Sequence, residues 1–258
     1  MIPTIVNAPT ADMRKDGMRY SLRLLAAIVT LLAVVLGVVG RRLQMRREAQ
    51  RIVSAHNVVL ELSQDRRWYE DALEPYCSVR PFAQVKRIEL RNEEISDKLL
   101  SALLQFDEAT EIDVVDSHIT TTACKNLPRF QRIKRISFHN SSVDDDALVH
   151  LAACRGLESL WLPFTNVTDQ DCVSIAQCSS LTSVDLRGTA VTDVGLRRLA
   201  ALPKLSEVAL GGELVTTQGI EYLLSNTSLT ELRCFGDSCP DKWWHDVKGR
   251  YPNCKFVR

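Results

Sequence analysis

Few residues in this sequence have types and spacing that suit covalent chemistry. His139 and Asp185 would make an acid–base pair, and Cys172 or Cys178 a thiol nucleophile, if folding brought a histidine to a cysteine. Both cysteines fall where the apolar spacing is helical, whereas His139 falls where it alternates as a strand does, so a Cys–His contact is not expected. His118 and His150 sit at other offsets, and the chain has no H-E-x-x-H, no phosphate-cradling glycine loop and no G-x-S-x-G. Asp144, Asp145 and Asp146 resemble a metal cluster in composition alone, because the first two sit at offsets that recur as helix caps. With no C-x-x-C pair for structural zinc either, the expectation is a protein that is not an enzyme and holds no cofactor or metal.

The elements that position these residues follow from one period. Val85, Ala109, Ile133, Leu157, Leu181, Leu205 and Leu229 open seven successive windows of 24 residues without insertions. Three residues into each window stand Ile88, Ile112, Ile136, Leu160, Val184, Val208 and Leu232, and two further on Leu90, Val114, Phe138, Leu162, Leu186, Leu210 and Cys234. Apolar residues two apart read as a short strand with one buried face. The later spacing of Leu196, Leu199, Ala200 and Leu202 is helical. Between strand and helix, Ser96 and Asp97, Asp144 and Asp145, Thr168 and Asp169, and Thr192 and Asp193 offer side-chain oxygens to exposed helix-start amides. One strand–turn–helix unit cannot bury its apolar face alone, so the copies must stack into a solenoid.

Residues 181–202, LTSVDLRGTAVTDVGLRRLAAL, resemble a leucine-rich repeat, most closely its cysteine-containing subclass, which occurs in F-box substrate adaptors and in small membrane-tethered bacterial proteins. The resemblance runs over residues 85–256 and implies an α/β horseshoe of about seven strand–helix repeats, with strands on the concave side and binding rather than catalysis. Residues 85–132 lack the Thr-Asp-x-Gly-Leu run, and Pro128 sits late in a helix, so the second helix should be short or distorted. No F-box pattern precedes the repeats, so the ubiquitin-ligase adaptor role is not carried over.

Ahead of the repeats, residues 24–40 (LLAAIVTLLAVVLGVVG) are 17 uncharged, almost wholly apolar residues. As a helix they reach about 25 Å, against a hydrocarbon core of about 30 Å, with Arg23, Arg41 and Arg42 able to snorkel. A cleaved signal peptide competes with this reading, but the run is long for one and Val38-Val39-Gly40 is a poor cleavage site. The sequence thus divides into an N-terminal tail (1–23), a single transmembrane helix (24–40), a juxtamembrane helix with an N-terminal cap (41–84), repeats (85–236) and a C-terminal cap (237–258). Ile52, His56, Val59 and Leu60 have helical spacing, Trp68, Tyr69, Leu73, Tyr76 and Phe82 are candidates to cover the first repeat, and Trp243, Trp244, Tyr251 and Phe256 the last.

Four basic residues precede the apolar segment and five follow it, a count that favours a cytoplasmic repeat domain. The eight cysteines read as buried hydrophobes rather than a disulfide framework, which points the same way, although a Cys154–Cys178 bridge stays open. Acidic and basic residues number 32 each, so there is no basic excess for a nucleic-acid partner.

Function is then expected on the strand face. Side chains alternating with the buried pair form three columns of seven, on strands about 4.8 Å apart, a face nearly 30 Å long. In its middle lie Arg135, His139, Trp161, Phe164, Asp185 and Arg187, and tryptophan and arginine dominate many interface centres. These six are the candidate contacts with a protein partner; the other reading is that Trp161 lies over Arg187 or Pro163 as a surface cover. A structural, envelope-organising membrane protein is the alternative function.

Overall fold

The computed structural model describes residues 56–62 and 85–258, apart from 92, 213 and 237–239, together with the helical positions Val29, Thr30, Ala33, Gly40, Gln44 and Arg51. The chain divides into two units, residues 1–48 and 49–258. In the first, the span expected at 24–40 lies outside the described residues except at Val29, Thr30, Ala33 and Gly40. Trp68, Tyr69, Leu73, Tyr76 and Phe82, expected to cover the first repeat, also lie outside them. Among the described residues no helix is long and apolar enough to cross a membrane.

The second unit is built on one nine-stranded sheet. In chain order its strands are β1 (Val58–Leu62), β2 (Val85–Arg91), β3 (Glu111–Val115), β4 (Arg135–His139), β5 (Ser159–Trp161), β6 (Ser183–Asp185), β7 (Glu207–Gly211), β8 (Glu231–Phe235) and β9 (Lys255–Val257). They lie side by side in sequence order. β1 runs antiparallel to β2, and every later pair is parallel. The register advances by 24 residues per strand, as in Arg87–Glu111–Arg135–Ser159–Ser183–Glu207–Glu231. Three two-residue strands, Glu94–Ile95, His118–Ile119 and Ser142–Val143, form a second, short ladder at the turns.

Helices α1 (Asp97–Leu103), α2 (Thr121–Cys124), α3 (Asp169–Ile175), α4 (Asp193–Leu199), α5 (Thr217–Asn226) and α6 (Asp241–Arg250) close the windows. The second is cut to four residues, followed by a 3-10 turn at Leu127–Arg129 that begins beside Pro128, whose missing N–H cannot continue a helix. The window from residue 133 has only the 3-10 segment Ala147–Ala153.

The period-two strand residues and the helix leucines make one continuous core: Ile88, Ile136, Leu160, Leu199 and Leu223 are each 0% exposed. Burying such a side chain contributes about 1.5–3 kcal/mol. The helix expected through His56, Val59 and Leu60 is not what forms. His56 and Asn57 are in a turn, and β1 pairs with β2, placing Val58 opposite Leu90 and Leu60 opposite Ile88. Alternation explains the difference, since Val58 and Leu60 pack on the core whereas Val59 is 54% exposed, a period of two rather than 3.6. At the far end Trp244 is buried, with Phe256 edge-on to it at 5.5 Å, and Trp243 and Tyr251 pack beside them. The C-terminal segment also adds β9 to the sheet, a strand the sequence reading did not anticipate.

The turns obey a rule that the sequence showed only in part. Thr168, Thr192 and Thr216 each cap the helix that follows, as do Ser96 and Thr120. The neighbouring aspartates act across repeats. Asp169 accepts from the Thr192 N–H at 2.8 Å, the Thr192 hydroxyl at 2.7 Å and the Gly195 N–H at 2.8 Å. Asp193 accepts from the Thr216 N–H and hydroxyl in the same way, at 2.8 and 2.6 Å. Asp144 does not cap its own helix either; it accepts from the Thr121 N–H at 2.9 Å, in the repeat before.

Candidate binding surface

The face of the sheet opposite the helices carries the columns that the spacing predicts. Glu89, Asp113, Ser137, Trp161, Asp185, Ala209 and Arg233 are in register along the middle one. The six candidate residues meet there as three pairs. The Arg135 guanidinium lies over the Trp161 ring, 4.7 Å from its centre, and pairs with Glu111. Trp161 is therefore covered from β4 rather than by Arg187 or Pro163, and its indole N–H reaches Ser183 Oγ at 3.5 Å. Arg187 instead holds Asp185 with two nitrogens, Nε at 2.9 Å from Oδ1 and Nη2 at 2.6 Å from Oδ2, and lies over the Phe235 ring at 4.7 Å. Asp185 is buried, so its carboxylate serves the sheet first.

His139 and Phe164 form the third pair, edge to face at 5.8 Å. Phe164 breaks a local rule. One position of the repeat, 24 residues apart in the turn that follows the strand, takes a positive φ: Asp116 (φ 50°), Asn140 (48°), Gly188 (64°), Gly212 (136°) and Gly236 (75°). Those are the residue types that tolerate it. Phe164 has φ 58° in the same column, a costly conformation for a bulky residue, and is still 55% exposed. Its ring lies where a Cβ on Gly188 would fall, 2.5 Å from Cδ1, so that glycine is required twice over.

Toward the N-terminal strands the face is an interlocked charge network. Arg87 donates to Glu111 at 2.9 Å and approaches Asp113 at 3.2 Å. Burial pushes the Asp113 carboxyl above its usual range, against the opposing pull of Arg87 and Arg135. Toward the C-terminal strands a depression of about 190 Å³ opens between Trp161 and Arg233, floored by Ala209. The sequence reading did not single it out, yet its signal was present: Ala209 is the small residue in a column where Trp161, Asp185 and Arg233 flank it.

The catalytic alternatives can be placed on the same map. Asp185 is engaged by Arg187 and His139 by Phe164, and no contact joins the two among the described residues. Burial pushes the Cys172 thiol up to about 12 and the Cys178 thiol to about 11, which withholds the nucleophilic thiolate. A Ser-His-Asp chain does exist at the turn ladder, with His118 Nδ1 2.8 Å from Ser142 Oγ and Nε2 3.1 Å from Asp144. Its nearby amides are committed: the Ser142, Val143 and Asp144 N–H groups bond Ser117 O, Asn166 Oδ1 and Ile119 O. With those three amides taken, Asp144 also bonded to the Thr121 N–H, and His118 and Ser142 exposed, it reads as a surface hydrogen-bond ladder. Among the described residues no group of three or more histidine, cysteine, aspartate or glutamate side chains could hold a metal ion.

For the cysteines the structure closes one open alternative and changes one reading. Cys124, Cys154, Cys172, Cys178 and Cys254 are free and buried, so Cys154 and Cys178 do not bridge. Cys234, read as a plain core residue, is disulfide-bonded, with its partner outside the described residues.

No protein-family model and no curated protein matches the chain. Among solved structures, an internalin from Listeria monocytogenes str. 4b F2365 is similar with a TM-score of 0.37 and 10% identity, over 74% of this chain and 67% of that one. A leucine-rich repeat protein of Leptospira interrogans is similar with a TM-score of 0.30 and 14% identity, over 61% of this chain and 57% of that one. The strand–helix repeat architecture stands on the register of the sheet itself.

Proposed function

We propose that the chain is an interaction module that captures a protein partner on the strand face of its repeats, the concave side of the horseshoe, around Trp161 and Phe164. The observation that carries this is Phe164. A large apolar side chain is held half-exposed in a left-handed backbone, at a turn whose counterparts are filled by glycine, asparagine or aspartate. Folding gains little from that choice, whereas an aromatic anchor projecting beside a tryptophan suits an interface centre. Arg135 then holds the Trp161 ring and His139 the Phe164 ring, with the Asp185–Arg187 pair as part of the rim. An envelope-organising protein without a specific partner would have no use for a strained, exposed phenylalanine. Catalysis has no support from the arrangement of His139, Asp185 and the buried thiols.

Residues 24–40 are proposed as the membrane anchor. For the side of the membrane, the basic flanks favour the cytoplasm by one residue, whereas a disulfide at Cys234 favours an oxidising compartment. A disulfide outweighs a one-charge difference, so we assign the repeats to the oxidising side. A cysteine introduced at exposed Val194 tests this, because the native thiols described above are buried. Modification by a membrane-impermeant maleimide on intact cells supports the assignment, and modification only after lysis reverses it.

The interface is tested by photo-crosslinking from the full chain, with the reactive side chain at Ser183 on the strand face or at Arg197 on α4. A discrete adduct from Ser183, absent from Arg197 and lost on Trp161→Ala with the fold retained, is the expected result. Equal adducts from both faces would discard the site.

A further inference from the structure

The charged side chains of the strand face are paired almost without remainder. In the three columns Arg87, Glu111, Arg135 and Asp113 form one network, Glu89 pairs with Arg91, Asp185 with Arg187, and Glu231 with Arg233. Glu207 is the exception. It is exposed on β7 and has no ion-pair partner among the described residues. It lines the depression over Ala209, together with Trp161, Asp185, Glu231 and Arg233. The one uncompensated charge among the described residues of these columns therefore stands at a hollow beside an aromatic ring.

Arg135 reaches Trp161 from β4, whereas the other residues lining the hollow lie on β6, β7 and β8, with Arg187 just past the end of β6, on the opposite side of Trp161. The Trp161 ring thus carries a guanidinium from β4 and also lines the depression on its β6 side. Trp161 on β5 and Glu207 on β7 lie across one intervening strand, a separation of about 10 Å at the usual strand spacing. At about 30 Å³ per water, a volume of about 190 Å³ admits about six waters or one long side chain. The face already seats a guanidinium on an aromatic ring twice, Arg135 on Trp161 and Arg187 on Phe235.

We infer that the hollow between Trp161 and Glu207 receives an arginine side chain of the protein partner, its guanidinium stacked on Trp161 from the β6 side and bonded to the Glu207 carboxylate. This rests on the interface reading above and names the chemistry of what that interface selects. Arginine fits better than lysine because a flat fork can stack on the ring and bond a carboxylate together. An acidic or purely apolar side chain would leave Glu207 uncompensated.

The test is a titration of the ¹⁵N-labelled full chain in detergent micelles, following the Trp161 indole signal, assigned by its loss in Trp161→Phe. The probe is N-acetyl-arginine amide, with N-acetyl-citrulline amide as its neutral counterpart of nearly the same shape. Arginine should shift the Trp161 signal saturably, and citrulline should not. Glu207→Gln should weaken the arginine titration by about fivefold, the upper end for an exposed ion pair. Equal shifts from both probes, no shift from arginine, or an arginine titration indifferent to Glu207→Gln would overturn the inference. If it falls while Ser183 crosslinking still depends on Trp161, the interface stands and only its occupant is misassigned. If arginine binds as stated but crosslinking ignores Trp161, the interface falls and the hollow remains a guanidinium site.

Discussion

Phe164 sets stability against use at a single residue. A left-handed backbone costs a non-glycine residue about 1–2 kcal/mol, of which glycine's greater freedom in the unfolded chain returns part. Phe164→Gly should therefore stabilise the domain by about 0.5–1 kcal/mol in urea unfolding, while reducing crosslinking from Ser183. A destabilised variant would mean that the ring's cover over Gly188 and its contact with His139 outweigh the strain. Arg187 carries the opposite lesson. Its spacing marks it as a contact for a partner, but the structure commits it to buried Asp185. Arg187→Ala should cost about 2 kcal/mol by stranding that carboxylate, and Asp185→Asn in the same chain should recover most of the loss. Without such recovery, the cost of Arg187→Ala would have to come from lost packing on Phe235 instead. Spacing assigned the strand face on which the candidates lie or border, because a period of two assigns faces. It could not tell which of them already hold one another, because that depends on side-chain reach, within one segment for Asp185 and Arg187 and between strands for Arg135 and Trp161.

Between repeats, the Thr-Asp-x-Gly run works as a clasp. The threonine caps its own helix, the aspartate bonds the turn of the next repeat, and the glycine makes room for the aspartate of the repeat before. A Cβ on Gly219 would lie 2.1 Å from Asp193 Oδ1 and 2.4 Å from its Cγ. Alanine in mid-helix normally gains about 1 kcal/mol over glycine. Here Gly219→Ala should instead lose about 2 kcal/mol by overpacking, and Asp193→Ala should relieve most of that loss, as a double-mutant cycle would measure. Asp169 makes the clasp sensitive to acid. Burial alone would raise its carboxyl, but the bonds from Thr192 and Gly195 together outweigh burial and hold it below the usual 3.8. A lowered native value means that the stabilisation is present above 3.8 and is lost as pH falls through the native value. The stability gap between the wild type and Asp169→Asn should accordingly narrow below that pH in urea titrations. Sequence alone identified the turn and its capping chemistry. It assigned the aspartate to the wrong helix because hydrogen bonds across a repeat leave the same pattern as bonds within one.

At the scale of the chain, a 24-residue period is legible because every repeat must bury the same columns, and stacking makes each copy's errors visible in the next. The ends are less legible, since they lack one neighbour and obey no period. The first repeat shows this. Val58 and Leu60 belong to β1, which turns the parallel ladder antiparallel and stops it, while Glu61 pairs with Arg87 at 3.3 Å. A seven-residue β2 with a bare edge and an uncovered apolar end would be open to a second copy of the chain. Leu60→Asp puts a charge against the core and should release β1. The expected result is self-association at micromolar concentration in sedimentation velocity, with helix and strand content largely kept by circular dichroism. Val59→Asp changes the same strand on its exposed side and should leave the protein in the wild-type state. If both variants associate, added charge rather than an opened edge is responsible. If neither does, β1 is dispensable and the ladder ends through the sequence of β2 itself, where Lys86, Arg87 and Arg91 already crowd the strand with charge.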